Sequence, residues 1–121
     1  MATPNDSMTA VMSIDGAMAA ALVDFDSGMT LATAGGGVDL ELAAAGNTEV
    51  VRAKLRVMDS LGLADRIEDI LITLGKQFHL IRLVSSPSGH GLFIYLVLHR
   101  DRANLAMARR QLQSVEQALE I

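Results

Sequence analysis

The ten residues Thr33–Leu42, TAGGGVDLEL, join a short apolar run to a long amphipathic segment. Their order predicts the end of a strand, a glycine turn and the first turn of a helix. Asp39 is a good N-cap because its carboxylate can accept a hydrogen bond from an amide of the first helical turn. Glu41 adds a negative charge where the helix dipole favours one. The stretch therefore predicts a change of direction between a strand and a helix.

A glycine-rich turn before a helix can also bind phosphate, so that function has to be tested against the residues. A Walker loop needs a Lys followed by Ser or Thr at the start of its helix. Here Gly37 is followed by Val, Asp, Leu and Glu, and two carboxylates would repel a phosphate. Three adjacent glycines also lack the spacing of a dinucleotide-binding loop. The sequence favours a turn.

Strand and helix patterns extend on both sides of this turn. Upstream, the runs AMAAALV and MTLAT flank the turn residues Asp24–Gly28 and predict a hairpin. Downstream, apolar residues recur at helical spacing from Leu40 to about Leu61, and Gly62 predicts the end of that helix. The remaining predicted elements are a short first helix at Asp6–Ser13, strands at Ile67–Leu74, Phe78–Val84 and Leu92–His99, and a last helix at Asn104–Leu119.

These elements predict one α+β domain over residues 1–121, in the order α-β-β-α-β-β-β-α, with a mostly antiparallel five-stranded sheet. The strand Leu92–His99 (LFIYLVLH) is apolar on both faces. A strand of that kind is buried on both faces, so helices must cover the sheet from above and from below.

Composition excludes several classes of function. The net charge of -4 and a single Tyr argue against a nucleic-acid partner. The absence of Cys excludes disulfides and thiolate metal sites and is typical of a cytoplasmic protein. The longest apolar runs are far shorter than the roughly 20 residues that span a bilayer, so no membrane insertion is expected. A mean hydropathy of +0.33 is high for a short chain and indicates that some apolar surface binds a partner.

The strand-end sequence Asp24-Phe25-Asp26 resembles the nucleophile motif of haloacid-dehalogenase-like phosphatases. In those enzymes the first Asp attacks phosphorus, the second is the acid and base, and magnesium binds between them. Gly28 replaces the expected Thr or Val, and the next strand follows too soon for a βαβ crossover. The sequence favours a hairpin turn in which the Asp side chains bond their own backbone.

The other polar residues give no stronger catalytic or metal site. His79, His90 and His99 do not have metal-ligand spacing, so no metal or cofactor is expected. An arginine group near the last helix, Arg100, Arg102, Arg109 and Arg110, is either a solvated face or a contact patch for an acidic partner.

Several segments together resemble the Roadblock/LC7 family over nearly the whole chain, from about Met12 to Leu119. The segments that carry the resemblance are IDGA at 14–17, AALVD at 20–24, Ser27–Gly28, Leu31–Ala32, Ala43–Ala45, Glu68–Leu74 and Phe93–Val97. The resemblance implies a fold related to profilin-like and longin domains, with no enzymatic activity. It also implies a homodimer in which Ile67–Leu74 pairs with its copy and the helix Leu40–Leu61 packs beside its twin.

The residues favour the same dimer independently. Ile67–Leu74 is an aliphatic strand without Pro or Lys, and its charges lie at one end, so an open edge would be prone to aggregation. Pairing with a second copy would remove that hazard and make a twofold interface. In this hypothesis Asn47 and Thr48 set the helix register. The candidate interface residues are Asn47, Thr48, Val51, Leu55, Met58, Ile67, Glu68, Ile70, Leu71, Ile72 and Leu74.

The resemblance further implies a function, because bacterial and archaeal family members are similar to partners of small Ras-like GTPases. The leading interpretation is a non-enzymatic homodimeric scaffold that binds and modulates such a GTPase. No Arg can be assigned as an arginine finger. The alternatives are a small-ligand sensory domain and, less favoured, a magnesium-dependent phosphatase that uses Asp24 and Asp26.

Overall fold

The computed structural model, which describes residues 2–86 and 89–120, contains one five-stranded antiparallel sheet and three α-helices in the predicted order. The elements are α1 (Pro4–Val11), β1 (Ala17–Asp24), β2 (Met29–Gly35), α2 (Leu40–Ser60), β3 (Asp69–Thr73), β4 (Gln77–Leu83), β5 (Leu92–His99) and α3 (Leu105–Ala118). The predicted fold class is confirmed.

The most apolar strand lies at the centre of the sheet. The strand order is β2-β1-β5-β4-β3, and Leu92–Leu98 of β5 are all buried. Helix α2 covers one face, where Ala44 and Val51 pack with Phe93 and Tyr95. Helices α1 and α3 cover the other face, around Ile94 and Leu96 of β5. Helices on both faces were predicted from the two apolar faces of β5, and that prediction is confirmed.

The glycine turn joins β2 to α2 as the sequence predicts. Gly35 and Gly37 have positive φ angles of 76° and 90°, which favour glycine. Asp39 caps α2, because its Oδ1 accepts a hydrogen bond of 3.1 Å from the Leu42 amide. At the other end Gly62 has φ 69°, and the Leu63 amide donates to the Met58 carbonyl in a Schellman arrangement.

The structure corrects the bounds of two elements. Strand β3 is shorter than the predicted Ile67–Leu74, because the Leu74 amide donates to the Gln77 carbonyl and closes the turn into β4. Helix α1 begins and ends earlier than the predicted Asp6–Ser13. Its N-cap is Thr3, which forms a capping box with Asp6, and Pro4 occupies the first helical position.

The three helices were also compared with the length and hydropathy of a membrane span. Within residues 2–86 and 89–120, no helix is both long enough and apolar enough to cross a bilayer.

Candidate interaction surface

Strand β3 lies at the edge of the sheet, and among the described residues only β4 pairs with it. Its side chains alternate between the two faces. Ile70 packs against the core beneath α2, and Leu71 packs against the core beneath α1 and α3. Ile72 is also half-buried and lies opposite His79 of β4. The outer backbone edge of β3 has no strand partner among the described residues, and such an edge can pair with another chain.

Helix α2 leaves part of this face open. It packs on β1 and β2, and Ala45 and Thr48 lie beside Gly28 in the turn between them. Between α2 and β3 lies an open groove of about 920 Å³, lined by Val50, Lys54 and Met58 from the helix and by Ile70 from the strand. The sheet on the β3 side of α2 is therefore not covered by this helix.

Helix α2 has a second apolar stripe beside its buried one. The buried stripe contains Ala44, Thr48, Val51 and Met58. The second stripe has the alternating three- and four-residue spacing of a coiled-coil seam, and its members are Ala43, Gly46, Val50, Ala53 and Val57. Val50 is 38% exposed and Val57 is 47% exposed. A built Cβ on Gly46 would meet open space, so this side of the helix is free to accept a close neighbour.

The structure divides the predicted α2 interface residues between these two stripes. Thr48, Val51 and Met58 are buried in the subunit, and the Thr48 hydroxyl donates to the Ala44 carbonyl at 2.8 Å. Leu55 packs against the same core. In the single subunit these side chains present little surface, although Met58 also lines the groove, and their place in an interface stays a prediction. The candidate interface residues chosen from the sequence did not include Val50 and Val57. The exposure of these two side chains depends on how the helix is rotated about its axis on the sheet.

A chain of polar side chains crosses the sheet beneath the open side of α2. The Asn47 amide donates to the Tyr95 hydroxyl, and Tyr95 lies 3.1 Å from Nδ1 of His79. Nε2 of His79 is 2.9 Å from Oε1 of Gln77. Burial lowers the pKa of His79, so the neutral ring is favoured. Burial raises the pKa of Tyr95, and the hydrogen bond from Asn47 partly opposes that rise.

The opposite face of β3 and β4 is fastened to α3 by two ion pairs. Nε of Arg82 lies 3.2 Å from the fully buried Glu116, which also accepts the Ser85 hydroxyl at 2.9 Å. Arg109 donates two hydrogen bonds of 3.1 Å to Asp69 at the start of β3. Residues far apart in sequence meet in both pairs, and no local pattern predicted either of them.

Of the four arginines near the last helix, two make contacts within the subunit. Arg109 is paired with Asp69, and Arg100 donates to the Leu74 carbonyl at 2.8 Å while its guanidinium lies 5.1 Å from the centre of the Phe78 ring. Arg102 and Arg110 are exposed. Two of the four guanidinium groups are thus used within the subunit.

The motif Asp24-Phe25-Asp26 forms a turn in which Oδ1 of Asp24 accepts a hydrogen bond of 2.8 Å from the Asp26 amide. The prediction that an Asp here bonds its own backbone is confirmed for Asp24. Within the described ranges, no group of three or more His, Cys, Asp or Glu side chains is placed to hold a metal ion. In the β4–β5 ladder, Val97 lies opposite His79 and His99 lies opposite Gln77.

Similarity to known proteins lies in the fold and not in the sequence. No protein-family model matches the chain, and no curated protein matches it. A Roadblock/LC7 domain from Streptomyces avermitilis superimposes with a TM-score of 0.78 at 14% identity, covering 93% of this chain and 90% of that one. This chain has the Roadblock/LC7 fold.

Two further structures share the Roadblock/LC7 fold with this chain. MglB from Myxococcus xanthus matches with a TM-score of 0.75 at 15% identity, over 94% of this chain and 85% of that one. A structure described as MglB with a tetrameric arrangement matches with a TM-score of 0.77 at 18% identity, over 93% of this chain and 81% of that one. The resemblance expected from the sequence is therefore confirmed at the level of the fold.

Proposed function

We propose that two copies of this chain associate through β3 and the exposed seam of α2. The observation that carries the proposal is the Val50 and Val57 seam, which borders the open groove beside the unpaired strand edge. A twofold axis beside β3 would pair that strand with its copy and bring a second α2 over the groove. Such an association would cover Ile70 and Ile72 and the seam itself, with Ile67, Glu68, Leu71 and Leu74 along the same border.

The small residues of the seam favour a close approach of two helices. Ala43, Gly46 and Ala53 project little from the helix, so the Val side chains of a second helix have space beside them. Asn47 lies between the seam and the buried stripe of α2, and its amide is bonded to Ala43 and Tyr95. An apolar seam with a fixed polar group at its border would favour one register over others.

A solution measurement of the oligomeric state tests this association. Light scattering after size exclusion at low micromolar concentration should give twice the mass of the 12.9 kDa chain. Val57→Glu places a charge in the seam, where burial without a partner is unfavourable, and should give a folded monomer. Met107→Glu is the matched control, because Met107 is also exposed but lies on α3. A monomeric wild-type chain would contradict the proposal.

We assign the associated pair the function of a non-enzymatic scaffold in the cytoplasm that binds and modulates a small Ras-like GTPase. The fold it shares with MglB and with the Roadblock/LC7 domain supports this assignment. Arg82 and Arg109 are held by carboxylates within the subunit, so neither is free to reach a nucleotide. The exposed Arg102 and Arg110 have no assigned role at a nucleotide, and we expect any acceleration of GTP hydrolysis to come from positioning the GTPase's own groups.

Binding to a GTPase is tested with a small Ras-like GTPase whose gene is adjacent to this one. The immobilised chain should retain the GTPase in one nucleotide state, GTP-loaded or GDP-loaded, more strongly than in the other. Met107→Glu should bind as the wild type does, unless α3 forms part of the contact. Retention of neither nucleotide form would exclude the GTPase function.

Small-ligand binding is a second candidate, favoured by a cavity of about 460 Å³ at the ends of β1 and β4. Phe25, Leu55 and Leu83 give it apolar walls, and Glu68 and His90 contribute polar groups. Pockets of this composition bind small molecules in other proteins. A thermal-shift screen in which one metabolite raises the melting temperature by several degrees would favour this function over the scaffold. The phosphatase alternative requires magnesium-dependent activity that is lost in Asp24→Asn.

A further inference from the structure

The hydrogen bonds beneath α2 have a single consistent direction when His79 is neutral. The Asn47 amide donates to the Tyr95 oxygen, which leaves the Tyr95 hydroxyl hydrogen for Nδ1 of His79 at 3.1 Å. Nε2 then carries the ring proton and donates to Oε1 of Gln77 at 2.9 Å. Gln77 continues the chain by donating to the Met18 sulfur at 3.6 Å. Each donor therefore meets one acceptor.

A second proton on the His79 ring disrupts this chain of hydrogen-bond donors and acceptors. It would occupy Nδ1 and point at the Tyr95 oxygen, so the Tyr95 hydroxyl hydrogen would have to turn elsewhere. The Asn47 nitrogen cannot accept that hydrogen, because it is a donor, and turning Oδ1 toward Tyr95 instead would break its 2.8 Å bond to the Ala43 carbonyl. In the single subunit His79 is half-buried, so solvent can reach its ring. A second copy over β3 would exclude that solvent, and an unpaired buried donor is unfavourable.

The position of His79 links this event to the association surface. His79 is half-buried and lies opposite Ile72 of the edge strand. The titratable and charged groups that share this side of the sheet are Tyr95 and His99 on β5, Lys54 on α2, and Asp65, Arg66 and Glu68 before β3. Tyr95 directly contacts the His79 ring, while Glu68 lies four residues before Ile72 along the chain. Among the described residues, no carboxylate forms an ion pair with the His79 ring.

We infer that His79 is a proton-sensitive switch for self-association, in which proton uptake by its ring separates the two copies. The inference rests on the proposed association through β3 and α2. The neutral ring completes the chain from Asn47 to Gln77 and permits a second copy to cover it. The charged ring needs a solvated environment, which it would lose when a second copy covers the edge strand beside it.

Sedimentation equilibrium of the wild-type chain and two variants tests the inference. The dissociation constant of the wild-type pair should rise about tenfold or more between pH 7.5 and pH 5.5, since the separated copies bind more protons. His79→Asn keeps an acceptor for Tyr95 but cannot be charged, and its dissociation constant should change by less than about threefold over the same range. His99→Asn is the matched control and should respond to pH as the wild type does.

The outcomes separate this inference from the proposed function. A wild-type chain that is monomeric at every pH contradicts the association itself, and the switch with it. A wild-type dimer whose dissociation constant is independent of pH, or an unchanged pH response in His79→Asn, overturns the switch and leaves the dimer intact. Loss of the response in His99→Asn would also overturn it.

If His79→Asn does not fold, the pKa of His79 in the wild-type chain can be measured instead. An NMR titration should give His79 a lower pKa in the wild-type dimer than in the Val57→Glu monomer, because the dimer buries the ring further. Equal pKa values in the two proteins would overturn the inference.

Discussion

Gly35 and Gly36 are adjacent in the turn after β2, but their surroundings differ. Gly35 has φ 76°, and a Cβ built on it would lie 2.3 Å from the Met18 carbonyl oxygen. Gly36 has no heavy atom within 4 Å of a built Cβ. The close packing of β1 against the turn therefore requires glycine at position 35 and not at position 36.

The pair of glycines provides a matched test of that requirement. Gly35→Ala should lower the free energy of unfolding by about 2 kcal/mol or more, because the backbone is strained and β1 has to shift. Gly36→Ala should change it by less than about 1 kcal/mol. Urea denaturation of both variants measures the difference. Equal effects would mean that the turn relaxes without disturbing β1.

Glu116 is a second residue whose contribution to stability depends on its surroundings. It is fully buried, and its carboxylate accepts hydrogen bonds from Arg82 and from the Ser85 amide and hydroxyl. Glu116→Leu should cost about 3–5 kcal/mol of unfolding free energy, because Arg82 is left buried without its counter-ion. The double variant Arg82→Met, Glu116→Leu should recover most of that loss. A loss below about 1 kcal/mol in the single variant would mean that Arg82 reaches solvent.

At the scale of the elements, local signals predicted α2 from end to end. Asp39 and Gly62 fix its two ends through contacts within a few residues, and sequence patterns carry that information. Local signals did not decide which face α2 presents to the sheet. Its buried stripe and its exposed seam lie about 135° apart on the helix, and both are largely apolar, so periodicity alone does not say which one the sheet covers. The site therefore needed the tertiary structure.

The N-cap of α2 provides the prediction at this scale. Asp39→Ala removes the acceptor of the Leu42 amide, and we expect a loss of about 1 kcal/mol in the free energy of unfolding. Asp39→Asn keeps an acceptor oxygen and should lose much less. Urea denaturation compares the three proteins. Should the Asn variant be as unstable as the Ala variant, charge and not hydrogen bonding would be the main contribution of Asp39.

The helices cover the two faces of the sheet to different extents. On the α3 side, the ion pairs of Arg82 and Arg109 fasten β4 and β3 to the last helix. On the α2 side, β3 borders an open groove, and apolar residues of the helix remain exposed beside it. The first face holds the edge strand in place within the subunit. The second face leaves surface that the proposed second copy would bury.

Self-association through that surface would make the stability of the fold depend on protein concentration. Because the pair dissociates when the chain unfolds, mass action stabilises the folded dimer as concentration rises. A hundredfold increase in wild-type concentration should raise the melting temperature on the order of 5 °C in scanning calorimetry. The melting temperature of Val57→Glu should not change with concentration, whereas that of Met107→Glu should rise as in the wild type. A wild-type melting temperature that is independent of concentration would mean that the open groove is not closed by a second copy, and the partner that covers it would have to be another protein.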